Sequence, residues 1–194
     1  MSQALKPTVI VLAAGQGRRF RESGGAVHKL EAGLGGVPVL QRVLDAVVAS
    51  GLPFHIVRPP GDATGDTAGM GDSIARGVRE TAEAAGWLIL PGDLPLVRPD
   101  SLLKVAQGLA FHPVVLPFWA GRPGHPVGFG RACRPALLAL HGDRGASGVL
   151  RAYRQAGQVG MLDLDDPGIV MDIDTTADLT QAEALLAGRE AQDK

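Results

Sequence analysis

An apolar, largely β-branched run, Thr8-Val9-Ile10-Val11-Leu12, stops at Ala13-Ala14-Gly15-Gln16-Gly17 and is followed at once by the cations Arg18 and Arg19. A run of this kind without polar alternation reads as a strand buried on both faces, which belongs in a parallel sheet covered by helices. The glycine loop then falls at the strand's carboxyl end, where open parallel sheets bind ligands. Gly15 and Gly17 let the backbone bring N–H groups close to an anion, while Arg18, Arg19 and Lys29 supply charge-assisted contacts to phosphate oxygens. Such a stretch is suited to a nucleoside triphosphate.

Two common phosphate loops are excluded. The dinucleotide fingerprint needs glycine where Phe20 stands and an acid about 20 residues on, and residues 33–39 contain none. The Walker loop needs Gly-Lys-Ser/Thr, which occurs nowhere in the chain. What remains, a strand, then Leu12-Ala13-Ala14-Gly15-x-Gly17-x-Arg19 and the later Lys29, resembles the signature loop of nucleotidyltransferases with a Rossmann-like fold. Together with Gly92-Asp93-Leu94-Pro95, it is most similar to the molybdenum cofactor cytidylyltransferases, the MobA/MocA-like group.

Composition narrows the setting. With 194 residues, 45% of them apolar, the chain can fill one core and is too short for two comfortable domains. One domain over 1–188 is expected, with 189–194 a frayed tail. A net charge of −1 and a pI near 6.5 argue against a broad nucleic-acid surface. The single cysteine, Cys133, excludes an internal disulfide and a cysteine-rich metal site. No stretch resembles a secretory signal or a membrane span, so a cytoplasmic location is expected.

Along the chain, strands alternate with helices, which predicts a single three-layer α/β domain with a mostly parallel sheet. Val39, Leu40, Val43, Ala46 and Val47 mark the buried face of a helix ending at Gly51. Phe54–Val57 reads as a strand, and the prolines and glycines of 58–66 exclude helix and central strand. Gly69–Gly77 opens another helix, Trp87–Leu90 is a buried strand, and Pro99–Gly108 is helical. A strand over 113–117, a helix over 131–140, a strand over 168–174 and a terminal helix complete the reading. Relatives of the resembling family usually insert a helix and strand after the second strand, and this chain runs directly to Gly69, so one strand of the sheet is expected to be missing.

Several residues then stand out. Asp93 emerges from a central strand into the same crevice as the Gly15 loop and suits Mg²⁺, which takes one or two carboxylates. Aspartate also sits readily in turns. Asp172 and Asp174, two apart on a predicted strand, share one face. Asp174 with Thr175 equally suits a helix cap. Ser73 can offer a hydroxyl to a ligand, with Gly69 leaving room for a flat ring, although Asp72 or Ser73 would also serve as a cap. His125 sits in a Gly/Pro-rich loop, and Asp143-Arg144 precede a helix start that suits an acceptor phosphate.

The resemblance implies a nucleotide-diphosphosugar transferase type of fold and transfer of CMP from CTP to molybdopterin, releasing pyrophosphate with Mg²⁺ as cofactor. It makes Arg19, Lys29 and Asp93 catalytic, and Leu12, Ala13, Ala14, Gly15, Gly17, Arg18, Gly69 and Ser73 nucleotide-binding. It places His125, Asp143 and Arg144 at the acceptor and Asp93 with Asp172 at the metal. A molybdenum hydroxylase or its maturation factor is the implied transient partner. Alternatives are guanylyl transfer from GTP, another phosphate acceptor such as a sugar or alcohol phosphate, or a non-catalytic nucleotide-binding accessory.

Overall fold

A computed structural model of the chain describes residues 6–59 and 69–192. The elements run β1 (Thr8–Leu12), α1 (Arg18–Glu22), β2 (Gly33–Leu34), β3 (Val37–Pro38), α2 (Val39–Ser50), β4 (Phe54–Val57), α3 (Met70–Glu80) and β5 (Gly86–Pro91). They continue with α4 (Pro99–Gly108), β6 (Val114–Trp119), β7 (Arg122–Pro123), β8 (Val127–Gly130), α5 (Arg134–Leu138), α6 (Ser147–Gln155), β9 (Val159–Asp163) and α7 (Thr176–Gln192). The 58–66 stretch, and with it the expected loss of a strand after β4, lies largely outside the described residues.

The main sheet has the order β4-β1-β5-β8-β6-β7, with β9 along the other side of β6. The β1/β4, β1/β5 and β6/β9 pairs are parallel, and only β7 and β8 run against the rest. This is the mostly parallel α/β sheet expected from the alternation of strands and helices.

Strand alternation divides the core into layers. Val9, Val11, Leu88 and Leu90 pack with Val43 and Val47 of α2 and with Leu102 and Val105 of α4. Ile10, Trp87 and Ile89 face the other way, onto Ile74 and Val78 of α3, Leu137 of α5 and Val149 of α6. Each such fully buried side chain contributes about 1.5–3 kcal/mol, so the strand run that opens the chain is anchored on both faces. A third cluster, with Phe20, Leu30, Leu34, Val39 and Ile173, lies under the glycine loop and joins it to α7. Among the described residues, no helix is long and apolar enough to cross a membrane.

Three elements differ from expectation. The helix over 131–140 divides into a 3-10 turn, Arg131–Cys133, and α5, with Pro135 in the first turn of the helix. Of the 189–194 tail expected to fray, the described residues 189–192 continue α7. Residues 168–174 are not a strand: Pro167–Val170 form a 3-10 turn, and β9, which pairs with β6 five residues long, takes the place of the last strand.

The physical reason is Asp166, which is 1% exposed. Its carboxylate accepts the amides of Gly168 at 3.0 Å and Arg98 at 2.9 Å, the Ser101 hydroxyl at 2.7 Å and Arg189 Nη2 at 3.0 Å. That knot forces a turn at Gly168, where a Cβ would fall 1.9 Å from the Leu96 carbonyl oxygen. β9 escapes a pattern reading because Gly160 interrupts it and Met161 is 71% exposed.

Candidate active site

The parallel register pairs Leu12 with Pro91, so the glycine loop after β1 and the turn after β5 leave the sheet side by side. The Gly92 amide donates to the Leu12 carbonyl at 2.9 Å, an approach so close that a Cβ on Gly92 would lie 3.0 Å from that oxygen. The next side chain, Asp93, therefore stands beside the glycine loop. Between them opens a cleft of about 930 Å³.

The loop is held by its own chemistry. Gly17 adopts φ 61° and caps α1, a left-handed backbone that glycine reaches without steric cost. A His28 ring nitrogen lies 2.9 Å from the Gly15 carbonyl, Arg21 donates to the Gln16 carbonyl at 3.2 Å, and Phe20, 2% exposed, anchors α1 in the core. Phe20 thus fills the position where a dinucleotide loop needs glycine.

Lys29 joins the two sides of the cleft. Its Nζ donates to Asp93 Oδ2 at 2.6 Å and to Asp174 Oδ1 at 2.8 Å, and Arg19 pairs with the other Asp174 oxygen. Burial by itself would pull the Lys29 ammonium down, but the Asp93 charge and the hydrogen bonds to both carboxylates outweigh it and hold its pKa above the ordinary 10.5. Burial would likewise raise Asp174, yet the Lys29 hydrogen bond and charge, with Arg19 behind them, keep it below the ordinary 3.8.

Asp174 is the residue that sequence reasoning undervalued. The cap of α7 is made without it: Asp178 accepts the Asp174 and Thr175 amides at 3.1 and 2.7 Å, and the Thr175 hydroxyl accepts the Asp178 amide at 3.2 Å. That reciprocal pair was legible as a Thr-x-x-Asp capping box, which would have released the Asp174 carboxylate for other work. Asp172 and Asp174 do not share a strand face, because there is no strand. Asp172 is exposed on the cleft wall, while Asp174 turns in to the cations.

Most of the predicted residues meet here. Leu12, Ala14, Gly15, Gly17, Arg18, Arg19 and Lys29 line the cleft from the loop side; Gly69, Ser73, Asp93, His125, Asp143 and Asp172 line it from elsewhere. Two do not. Ala13 is buried in the third cluster and donates its amide to the Val57 carbonyl at 2.9 Å, and Arg144 is exposed away from the cleft. Arg122 and Met70, which sequence reasoning passed over, also line it.

Gly69 proves to be a packing glycine. A Cβ there would fall 2.2 Å from the Gly142 carbonyl carbon, so α3 and the 141–143 loop meet backbone to backbone. Asp72 stitches that contact, with Oδ2 accepting the Gly69 and Gly142 amides at 3.0 Å each. Asp72 is thus the cap of α3, and the Ser73 hydroxyl is buried, borders the cleft and has no hydrogen-bond partner among the described residues. His125 donates its backbone amide to Ile169 at 2.8 Å, and burial holds its imidazole below the ordinary pKa, hence neutral near pH 7.

Among the described residues, no three His, Cys, Asp or Glu side chains gather as a ready-made metal cage. The fit to a hard cation is instead that of a site shared with substrate phosphates. Asp93 Oδ1 is buried with no hydrogen-bond partner among the described residues, and the Asp174 carboxylate reaches the same lysine. Those two aspartates could hold a divalent ion.

Residues 9–158 match the MobA-like NTP transferase domain. The chain belongs to that family. The family model that matches describes an NTP transferase domain, and the chain spans only part of the curated relatives it matches. The bifunctional protein GlmU of Xanthomonas oryzae is 29% identical over 145 residues, which takes in 66% of this chain and 30% of GlmU, so the chain spans less than a third of that relative. Among solved structures, Rv0371c of Mycobacterium tuberculosis, crystallised in complex with manganese, has a TM-score of 0.67 at 22% identity, covering 92% of this chain and 98% of that one. The molybdopterin-guanine dinucleotide biosynthesis protein A of Archaeoglobus fulgidus has a TM-score of 0.60 at 18% identity, covering 93% and 99%. Both structural likenesses speak to the fold alone.

Proposed function

We propose that this MobA-like transferase moves CMP from CTP to the terminal phosphate of molybdopterin and releases pyrophosphate. The observation that carries the reading is the convergence of the Gly15 loop, Lys29 and Asp93 on one cleft. The acceptor oxygen attacks the α-phosphorus, a new P–O bond forms, and the bond to the β-phosphate breaks. An anionic acceptor needs no general base, so the protein's task is alignment and charge stabilisation.

In this reading the loop amides around Gly15 and Gly17 cradle the phosphates, and Arg18, Arg19 and Lys29 meet the charge that moves onto pyrophosphate. Asp93, with Asp174 rather than Asp172, would hold the divalent cation, taken here as Mg²⁺, which would neutralise phosphate charge and bring the reacting groups into line. Ser73 offers its unpartnered hydroxyl to the nucleoside. His125, Asp143 and Arg122 face the acceptor side. The setting is the cytoplasm, with a molybdenum hydroxylase or its maturation factor receiving the product.

Cytosine rests on the resemblance of Leu12-Ala13-Ala14-Gly15 and on the Ala14 methyl, which narrows the wall where a purine would need room. A second reading, guanylyl transfer from GTP, draws on the guanine in the name of the Archaeoglobus protein of similar fold. Pyrophosphate release with molybdopterin and each of the four nucleoside triphosphates decides between them. Turnover with CTP is expected, and a preference for GTP overturns the base assignment. No turnover with any nucleotide, alongside CTP binding that ignores metal, returns the chain to a binding accessory.

A further inference from the structure

The Lys29 ammonium stands between the carboxylates of Asp93 and Asp174, 2.6 Å from one oxygen and 2.8 Å from the other. Its side chain is only 11% exposed and theirs are 17% and 26% exposed, so little water screens the cluster. A divalent ion taken up by the same two carboxylates would stand against the ammonium already between them. At that range, with little screening, the two cations oppose one another by charge.

Lys29 has a second place to go. A Cβ on Gly17 would lie 3.3 Å from Lys29 Cγ, so the lysine stem runs along the glycine loop that cradles phosphate in the reading above. Rotation about its outer bonds carries the ammonium from the carboxylates toward an anion on that loop. A triphosphate arriving there offers Lys29 a richer anion and vacates the space between the aspartates in the same event. Arg19, paired with Asp174 and exposed at the cleft mouth, is drawn the same way.

We propose that Lys29 acts as a resident cation that bars free divalent metal from Asp93 and Asp174, so that the cleft takes up its metal only with a triphosphate, as the chelate. This rests on the nucleotidyl-transfer reading and assigns the form in which the nucleotide substrate enters. It gives Lys29 two successive duties: selectivity against the bare ion, then contact with the phosphates.

The test is binding of Mn²⁺ alone to the full chain, followed by the loss of its free EPR signal, in wild type, Lys29→Met and Lys29→Arg, with CTP binding measured separately by calorimetry in excess Mg²⁺. Lys29→Met is expected to bind Mn²⁺ about tenfold or more tightly than wild type, while Lys29→Arg, which keeps the charge, stays weak. Lys29→Gln, which retains a donor to the carboxylates, takes the Met variant's place if melting in EDTA shows the latter unfolded. Equal Mn²⁺ affinity in wild type and in the uncharged variant overturns the proposal, whatever CTP does. Failure of CTP to bind overturns the transferase reading instead, while the Mn²⁺ comparison still judges the lysine.

Discussion

The backbone carbonyl of Asp93 accepts the amide of Ile173 at 2.9 Å. This bond pins the segment before α7 to the end of β5, across 80 residues of chain, and brings the Asp174 carboxylate to the ammonium that Asp93 already holds. Ile173 itself is fully buried, so the hydrogen bond and the apolar contact act together to set the geometry of the cluster.

Lys29→Ala is expected to lower turnover by roughly 10² or more, the cost of removing one preorganised cation from a phosphoryl-transfer site. It also leaves two carboxylates facing each other, so a loss of about 1–3 kcal/mol in urea denaturation should accompany it. Near-normal turnover with both carboxylates intact would take Lys29 out of the mechanism.

The same cluster predicts how stability varies with pH. Asp174 is depressed in the folded state, so its contribution is present above the ordinary carboxylate value of 3.8 and is lost as pH falls through the lower folded value. Lys29 is raised, so its contribution is complete below 10.5 and is lost as pH climbs through the higher folded value. Melting temperatures of wild type and Asp174→Asn across the acid limb should converge as pH falls; parallel curves would remove Asp174 as a source of acid sensitivity.

Ser73→Ala removes a buried hydroxyl that has no partner among the described residues. Folding stability should stay level or rise slightly, while nucleotide affinity falls by about 1 kcal/mol, roughly fivefold. An unchanged affinity by calorimetry would leave Ser73 as packing alone.

Asp72→Ala should cost about 1–2 kcal/mol, because it frees both the α3 cap and the Gly142 amide. Gly69→Ala should cost a further kind of strain, about 1–3 kcal/mol, by driving a methyl into the Gly142 carbonyl. If either variant melts like wild type, α3 and the 141–143 loop are not coupled as described.

Asp166→Ala should be the most damaging of these changes, about 3–5 kcal/mol, since it leaves the half-buried Arg189 and three other donors without their acceptor. Its effect on the cleft is indirect, through the 3-10 turn that delivers residues 171–174. Turnover and stability are expected to fall together, and a variant that melts normally yet is inactive would contradict that order of cause.

The residues themselves determined the entry to the site. The unbroken apolar run of β1, the glycines and cations after it, the spacing of Val39, Val43 and Val47, and an aspartate directly after the buried run of β5 are local signals. Local sterics and strand or helix periodicity suffice to place them. The fate of the other candidates hung on contacts between distant parts of the chain. Asp166 turned an apparent strand into a 3-10 turn and so exchanged Asp172 for Asp174 beside Lys29. The backbone of Gly142 claimed Gly69, and the path of the 141–145 loop carried Arg144 away from the cleft. Periodicity says which side of its own element a residue occupies; which neighbour it meets there is settled only by packing across the fold.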